Sequence, residues 1–402
     1  MQILIRKPFS VPASLAFAVI VLGGCSPQDN AQAPGQSGVK KQHLAVRGSA
    51  DEPSRIADLL NVKFKRVQGD AHGGAVLDPG PSGSWYDEYV WGPSVLFDGT
   101  TYRMWFTGGQ RTNDPSVPYG VCERIGMAVS NDGVNWSLAN DGQPVLDLER
   151  PGRTDLKSVA HPFVLRVGDN YMMWYGMIDG TTAADLSYGG WFRGVRVERI
   201  GCSLSTDGIN WKPATNQEVV LDIGPIGSVD SIQATGMHVV EKNGHFNMWY
   251  GTFNGNHRIA VATSPDGIKW TKGNGGQPVT GLSGTTHLGP SVYNDGDKYY
   301  MLYNTKQSPF PKRYTTYAAT SDDGIHWTPA YGNKPLLDTP PEGNFAYISQ
   351  LGAYPSLNHS VHPTKFLVRD GHIWVYYSAE TDAPRKHQRI GLMKAVLGTR
   401  TD

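Results

Sequence analysis

Three carboxylates stand in repeated surroundings: Asp87 in Gly83-Ser84-Trp85-Tyr86-Asp87, Asp155 in Gly152-Arg153-Thr154-Asp155, and Asp230 in Gly227-Ser228-Val229-Asp230. Each closes a glycine-led segment just ahead of an apolar run, and Glu88 follows the first. Carboxyl groups at matching points of repeated units can do acid–base work when their surroundings hold their protonation states apart. Residues of the same type also cap turns. Histidines gather at the same level of the repeats, at His161, His238, His287, His359 and His362, with Lys157 and Lys365 beside them. Imidazoles on neighbouring strands of a narrow ring can hold an anion or an ion, or exchange protons near neutral pH. Each is equally an ordinary hydrogen-bonded wall residue. No local His/Cys/Asp spacing of a metal site, nucleotide loop or Ser-His-Asp order is visible, so no cofactor is expected, with a central metal ion the one option the histidines leave open.

The elements that must position these groups repeat five times. An alternating aromatic strand recurs as Tyr102-Arg103-Met104-Trp105-Phe106, Tyr171-Met172-Met173-Trp174-Tyr175, Phe246-Asn247-Met248-Trp249-Tyr250, Tyr299-Tyr300-Met301-Leu302-Tyr303 and Ile373-Trp374-Val375-Tyr376-Tyr377. Each follows a short apolar run and a turn such as Asp98-Gly99 or Asn243-Gly244, which makes a hairpin. A third strand comes next, as in Ile125-Gly126-Met127-Ala128-Val129. In the first four repeats an Asp-Gly-x-x-Trp turn then leads to a fourth strand: Asp132 to Trp136, Asp207 to Trp211, Asp266 to Trp270 and Asp323 to Trp327. Four strands per unit, repeated, predict an all-β propeller of five blades. The chain ends before the last blade can have a fourth strand, so residues 61 to 78 are expected to supply it, removing an open sheet edge.

Composition narrows the field. The 402 residues hold 36 Lys+Arg and 36 Asp+Glu, so there is no basic field of the kind nucleic-acid binding needs. Forty-eight glycines and only 18% charged residues exclude a disordered chain or a coiled coil for most of the length. Arg6 and Lys7, an apolar run from Val11 to Leu22, and Leu22-Gly23-Gly24-Cys25 have the order of a secretory signal. Leu-Gly-Gly-Cys resembles a bacterial lipoprotein signal, which implies lipidation at Cys25 and, with Ser26 following, an outer-membrane address. The expected division is a signal over 1–24, a Gln/Gly/Ser/Ala/Pro-rich tether over 25–57 and a propeller over 58–402. Cys122 and Cys202 are read as free thiols, and the chain as a monomer.

A five-bladed ring built from Gly-Pro-Ser-Val-Leu (Gly92 to Leu96), Met-Trp-Phe or Met-Trp-Tyr, and Ser-x-Asp-Gly-x-x-Trp resembles the glycoside hydrolases of the arabinanase/β-xylosidase and invertase/levanase type, over roughly residues 60 to 397. The resemblance implies that the first strand of each blade starts on the binding face, with the loops between second and third strands, while the Asp-Gly-x-x-Trp turns lie on the opposite face. It implies a carboxylate in each of blades one to three: Asp87 as base or nucleophile, Asp155 as pKa modulator and Asp230 as acid. Glu88, Lys157, His161, His238, His287, His359, His362 and Arg385 would then bind a carbohydrate. One departure is visible, since the family's blade-one aspartate directly precedes the proline, where this chain has Gly92, with His161 in the matching place of blade two. The second-to-third strand loops add Gln110, Arg111, Asp179, Asp185, Lys306, Glu380 and Asp382, and the loop from Ile178 to Val197 carries Tyr188, Trp191 and Phe192. Glu123-Arg124 and Glu198-Arg199 recur ahead of third strands and read as structural ion pairs. Three functions follow: a glycosidase, a non-catalytic glycan-binding propeller, or a histidine- or metal-dependent polysaccharide lyase.

Overall fold

A strand whose side chains are apolar on both sides must be covered on both sides, and the five aromatic strands meet that demand by standing in the middle of radially packed sheets. The computed structural model describes residues 64–114, 117, 120–149, 156–190, 194–216, 218–306, 314–335, 362–380 and 388–397. The signal and tether expected over 1–57 lie outside them.

A short strand β1 (Lys65–Val67) precedes the blades. Blade one is β2 (Tyr89–Phe97), β3 (Tyr102–Arg111), β4 (Val121–Ser130) and β5 (Ser137–Leu138). Blade two follows with β6 (Ser158–Val167), β7 (Asn170–Ile178), β8 (Arg199–Ser205), β9 (Lys212–Pro213) and β10 (Val219–Leu221). Blade three is β11 (Gln233–Lys242), β12 (His245–Phe253), β13 (His257–Ser264) and β14 (Thr271–Lys272), and blade four β15 (His287–Asn294), β16 (Tyr299–Lys306), β17 (Tyr314–Ser321) and β18 (Thr328–Pro329). Blade five has β19 (His362–Arg369), β20 (His372–Glu380) and β21 (Gln388–Val396), and its outer strand is β1. Lys65 pairs with Lys394 and Val67 with Leu392, and Leu77 bridges to Ile390 farther along. The expected closure by the N-terminal strand is thus seen in the register.

The inner strands β2, β6, β11, β15 and β19 touch in sequence, and β19 returns to β2. Five apolar clusters fill the five joints. The one between blades one and two sets Trp105, Ile125 and Met127 against Val159, Val164 and Met173. The one between blades five and one sets Trp374, Tyr376 and Leu392 against Val95, Met104 and Phe106. No α-helix is present among the described residues.

The Asp-Gly-x-x-Trp turns fasten these joints. In the first of them the Asp132 carboxylate accepts the amides of Val134 and Asn135, each at 2.8 Å, while Ser130 Oγ accepts Gly133 N–H at 2.9 Å. The turn's glycine carbonyl then receives an indole from the preceding blade: Trp105 donates to Gly208, Trp174 to Gly267 and Trp249 to Gly324, all at 2.8 Å. At the joint of blades five and one, Tyr376 Oη donates to Gly133 O at 2.8 Å. Blade five shows no such turn among the described residues, and blade four carries Leu302 where blades one to three carry tryptophan and blade five carries Tyr376.

Candidate functional site

Each of the inner strands β2, β6, β11 and β15 has a bulge in which two residues stand opposite one of the partner strand, and the first of the two takes a left-handed backbone. That residue is glycine in blades one, three and four, Gly92, Gly236 and Gly289, with φ of 61°, 57° and 56°. In blade two it is His161, at φ 55°. The expected equivalence of Gly92 and His161 is therefore geometric. The His161 ring stands edge-on to Trp91 at 4.2 Å between centroids. Burial in the wall pushes its pKa down to about 4, leaving a neutral imidazole.

Beside it lies a cluster of polar and charged side chains from blades one and two. Arg196, at the end of the long blade-two loop, places Nη1 3.5 Å from Glu123 Oε2 and Nη2 3.8 Å from Glu198 Oε1. Tyr89, which starts β2, donates its hydroxyl to Glu123 Oε1 at 3.0 Å. Burial and then the Glu123 carboxylate hold the Tyr89 hydroxyl well above its ordinary pKa, so it stays a donor. Glu123 and Glu198 are only 2% and 7% exposed. Each sits where its blade meets the next: Glu123 bridges to Ser158 of β6, and Glu198 to Gln233 of β11. Two carboxylates around one guanidinium are stable in a buried place only while the cation is present.

Outward from this cluster a cleft of about 430 Å³ separates blades one and two, lined by Asp114, Cys122, Arg124, Asp147, Glu149 and Lys157 over an apolar floor of Val117, Leu148 and Leu156. Its volume is in the range of small-ligand sites. Burial raises the Cys122 thiol, so it meets the cleft uncharged. Cys122 and Cys202 are free thiols.

Glu123 and Glu198 were missed as site residues because each is followed by an arginine. Those arginines pair elsewhere: Arg124 Nε with Asp147 at 2.8 Å, Arg199 Nε with Asp222 at 2.9 Å, and, at the matching point of blade five, Arg389 Nε with Asp78 at 2.5 Å. Strand alternation turns adjacent side chains to opposite faces, so Glu and Arg serve different partners. That alternation was the available signal, with Glu123 in phase with the inward-packed Ile125 and Met127.

The expected carboxylates are placed differently from one another. Asp87 is half-buried, and its Oδ2 accepts Gly83 N–H at 2.7 Å. Asp230 is 2% exposed and holds Lys272 Nζ at 2.6 Å, Ser228 Oγ at 2.9 Å and Tyr250 Oη at 3.0 Å. The two leading segments align one residue out of step with the sequence reading. Gly80 N–H donates to Tyr86 O and Gly224 N–H to Asp230 O, so Asp230 matches Tyr86, and Asp87 matches Ser231. Asp155, His359 and Arg385 lie outside the described residues. Glu88 pairs with Arg111 at 2.5 Å on the rim, and Lys157 lines the cleft. His238 is buried against Phe163. His287 is buried with Nε2 3.0 Å from Ser283 O, and burial lowers its pKa. His362 opens β19 opposite Ser378. Among the described residues no three His, Cys, Asp or Glu side chains group as a metal-ligand set.

No family model matches the chain. It is 30% identical over 200 residues to an uncharacterized protein of Mycobacterium tuberculosis, Rv1502, covering 48% of this chain and 58% of that protein. A β-1,2-mannobiose phosphorylase of Thermoanaerobacter is 26% identical over 152 residues, 37% of this chain and 44% of the enzyme. The chain thus spans less than two thirds of the length of these curated relatives. A solved GH130 structure, from a study of mannoside phosphorylases and of hydrolases that target β-1,2 mannosidic linkages in Candida mannan, superposes with a TM-score of 0.59 at 14% identity, covering 84% of this chain and 97% of that one. The chain has the fold of the five-bladed propeller glycoside hydrolases. In this propeller, blades one and two carry the polar cluster described above, where Tyr89 and Ser158 begin their inner strands.

Proposed function

We propose that this propeller cleaves glycosidic bonds of an oligosaccharide at the binding-face end of its axis. The observation that carries the reading is the meeting of Glu123 and Glu198, from different blades, on the single guanidinium of Arg196. Glycosidic cleavage needs two carboxyl groups within a few ångströms of the scissile bond, with environments that separate their roles. Glu123 is fixed by Tyr89 and Arg196. Glu198, held only at 3.8 Å, is the group assigned to proton transfer. Asp155 is kept as the candidate pKa modulator, because the sequence places it directly before Leu156, which lines the cleft. Asp230 acts as the anchor of the segment leading into blade three, and Asp87 as a cap with one oxygen turned to Gly83.

The relatives named for β-1,2-mannose linkages make β-1,2-mannobiose the first substrate to offer, with and without inorganic phosphate, reading mannose and mannose phosphate. Glu198→Gln is expected to lower turnover about 10³-fold with the melting temperature unchanged, the size general acid–base catalysis has. Full activity in that variant overturns the assignment. The burial of both glutamates favours one competing reading, a glycan-binding propeller without turnover. Binding by calorimetry with no product after a day selects it.

The finer address rests on the N-terminal signal. We propose an exported monomer held at the outer membrane through a lipid on Cys25. Incorporation of labelled palmitate that survives Cys25→Ala rules this out.

A further inference from the structure

His161 occupies a backbone position that the repeat itself fills with glycine, and crowding does not explain the glycines. A Cβ built on Gly92 meets nothing nearer than 3.6 Å, one on Gly236 nothing nearer than 3.9 Å, and one on Gly289 nothing within 4 Å. These three positions favour glycine for its freedom at positive φ, since a side-chain-bearing residue is strained there. The bulges of blades one, two and three are neighbours, because the Gly92 Cβ direction comes within 3.8 Å of His161 Cα and that of Gly236 within 3.9 Å of His161 Nδ1. Strain kept at one of four equivalent points marks a place where a side chain is needed.

The neighbouring polar atoms point the same way. Neither ring nitrogen of His161 has a hydrogen-bond partner among the described residues; its backbone amide is taken by Thr107 Oγ1. The indole N–H of Trp91, against which the ring stands, is buried without a partner, and so is the hydroxyl of Thr235. That hydroxyl lies 2.9 Å from the Cβ direction of Gly176, and His161 Cδ2 lies 3.7 Å from the same point, so the two side chains are close neighbours. Buried polar atoms are nearly always satisfied by something.

We infer that His161 is the specificity-determining residue of an axial sugar subsite, where its imidazole, with Trp91 Nε1–H and Thr235 Oγ1, hydrogen-bonds the hydroxyls of an uncharged sugar. The inference rests on the proposed glycan reading and adds the subsite and the charge class of its ligand. A neutral imidazole offers one donor and one acceptor, which a hydroxyl matches on both counts. A carboxylate has no proton to give the acceptor nitrogen, and it would lie near the Glu123 carboxyl group, which acts on His161. The edge of Trp91 gives the sugar ring an apolar border.

The test replaces His161 by the residue the repeats use. His161→Gly is expected to raise the melting temperature by about 1–3 °C, because the strain is removed. It is also expected to weaken β-1,2-mannobiose affinity at least tenfold by calorimetry. His161→Asn, which tolerates the same backbone and keeps a donor, should fall between. Carbon-13 histidine spectra of the wild type give the second readout: the 161 imidazole resonance shifts on addition of β-1,2-mannobiose or xylobiose and not on addition of galacturonate. A His161→Gly protein that melts lower than wild type, or binds the sugar within twofold of it, overturns the inference. Sugar binding that leaves the imidazole resonance unmoved does the same. Binding with a shift but no cleavage overturns the proposed activity and upholds the subsite. No binding of any sugar overturns both.

Discussion

The two faces of the ring obey different rules. On the face of the Asp-Gly-x-x-Trp turns the blades are near copies. Asp132, Asp207, Asp266 and Asp323 each accept two backbone amides of their own turn, and the glycine carbonyls of the last three receive an indole from the blade before. On the other face equivalent positions diverge. Where blades one, three and four have glycine, blade two has His161, and a blade-two loop arginine, Arg196, lies between a carboxylate of blade one and one of its own blade. Repetition here marks what holds the ring, and departure from it marks where the proposed chemistry lies.

Substitutions on the two faces should separate cleanly. Glu198→Gln gives the largest effect, the thousandfold loss of turnover at constant stability already stated. Lys272→Met comes next: it leaves the buried Asp230 carboxylate without its cation and is expected to cost about 3 kcal/mol in a urea titration. A shift in urea midpoint too small to resolve would show that Asp230 is satisfied without Lys272 and reopen it as a site residue. Trp174→Phe is smaller, about 1–2 kcal/mol, because Gly267 O keeps the 2.9 Å bond from Trp270 when the neighbouring indole is lost. Its turnover should equal wild type; a selective loss of activity there would join the two faces and blunt the distinction.

Much of the scaffold was readable from residue patterns alone. Strand alternation, Asp-Gly turns and a fifth repeat too short for a fourth strand led to five blades and to closure by the segment ending in Asp78, whose carboxylate meets Arg389. The site was less legible for a physical reason. A blade's strands are joined by local turns with local signatures, but which side chains meet at the axis depends on the radial packing of different blades. Arg196 reaches Glu123 across 73 positions of sequence, and no periodicity encodes that. The leading segments of blades one and three misled by one residue, because Asp87 and Asp230 close glycine turns of similar appearance with different hydrogen-bond anchors.

The missing fastener at one joint gives the ring a direction of failure. Leu302 brings no indole to blade five, and among the described residues blade five shows no Asp-Gly-x-x-Trp turn to receive one. The described joint between blades four and five is formed by apolar contacts of Leu302, Ala318, Ile373 and Val375. A closed circle with one unlatched seam is expected to open there first when heated. That seam lies away from the joints of blades one, two and three, so the half of the circle bearing Glu123, His161 and Glu198 stays shut while the other half gives, much as a bracelet opens at its clasp and keeps its setting intact.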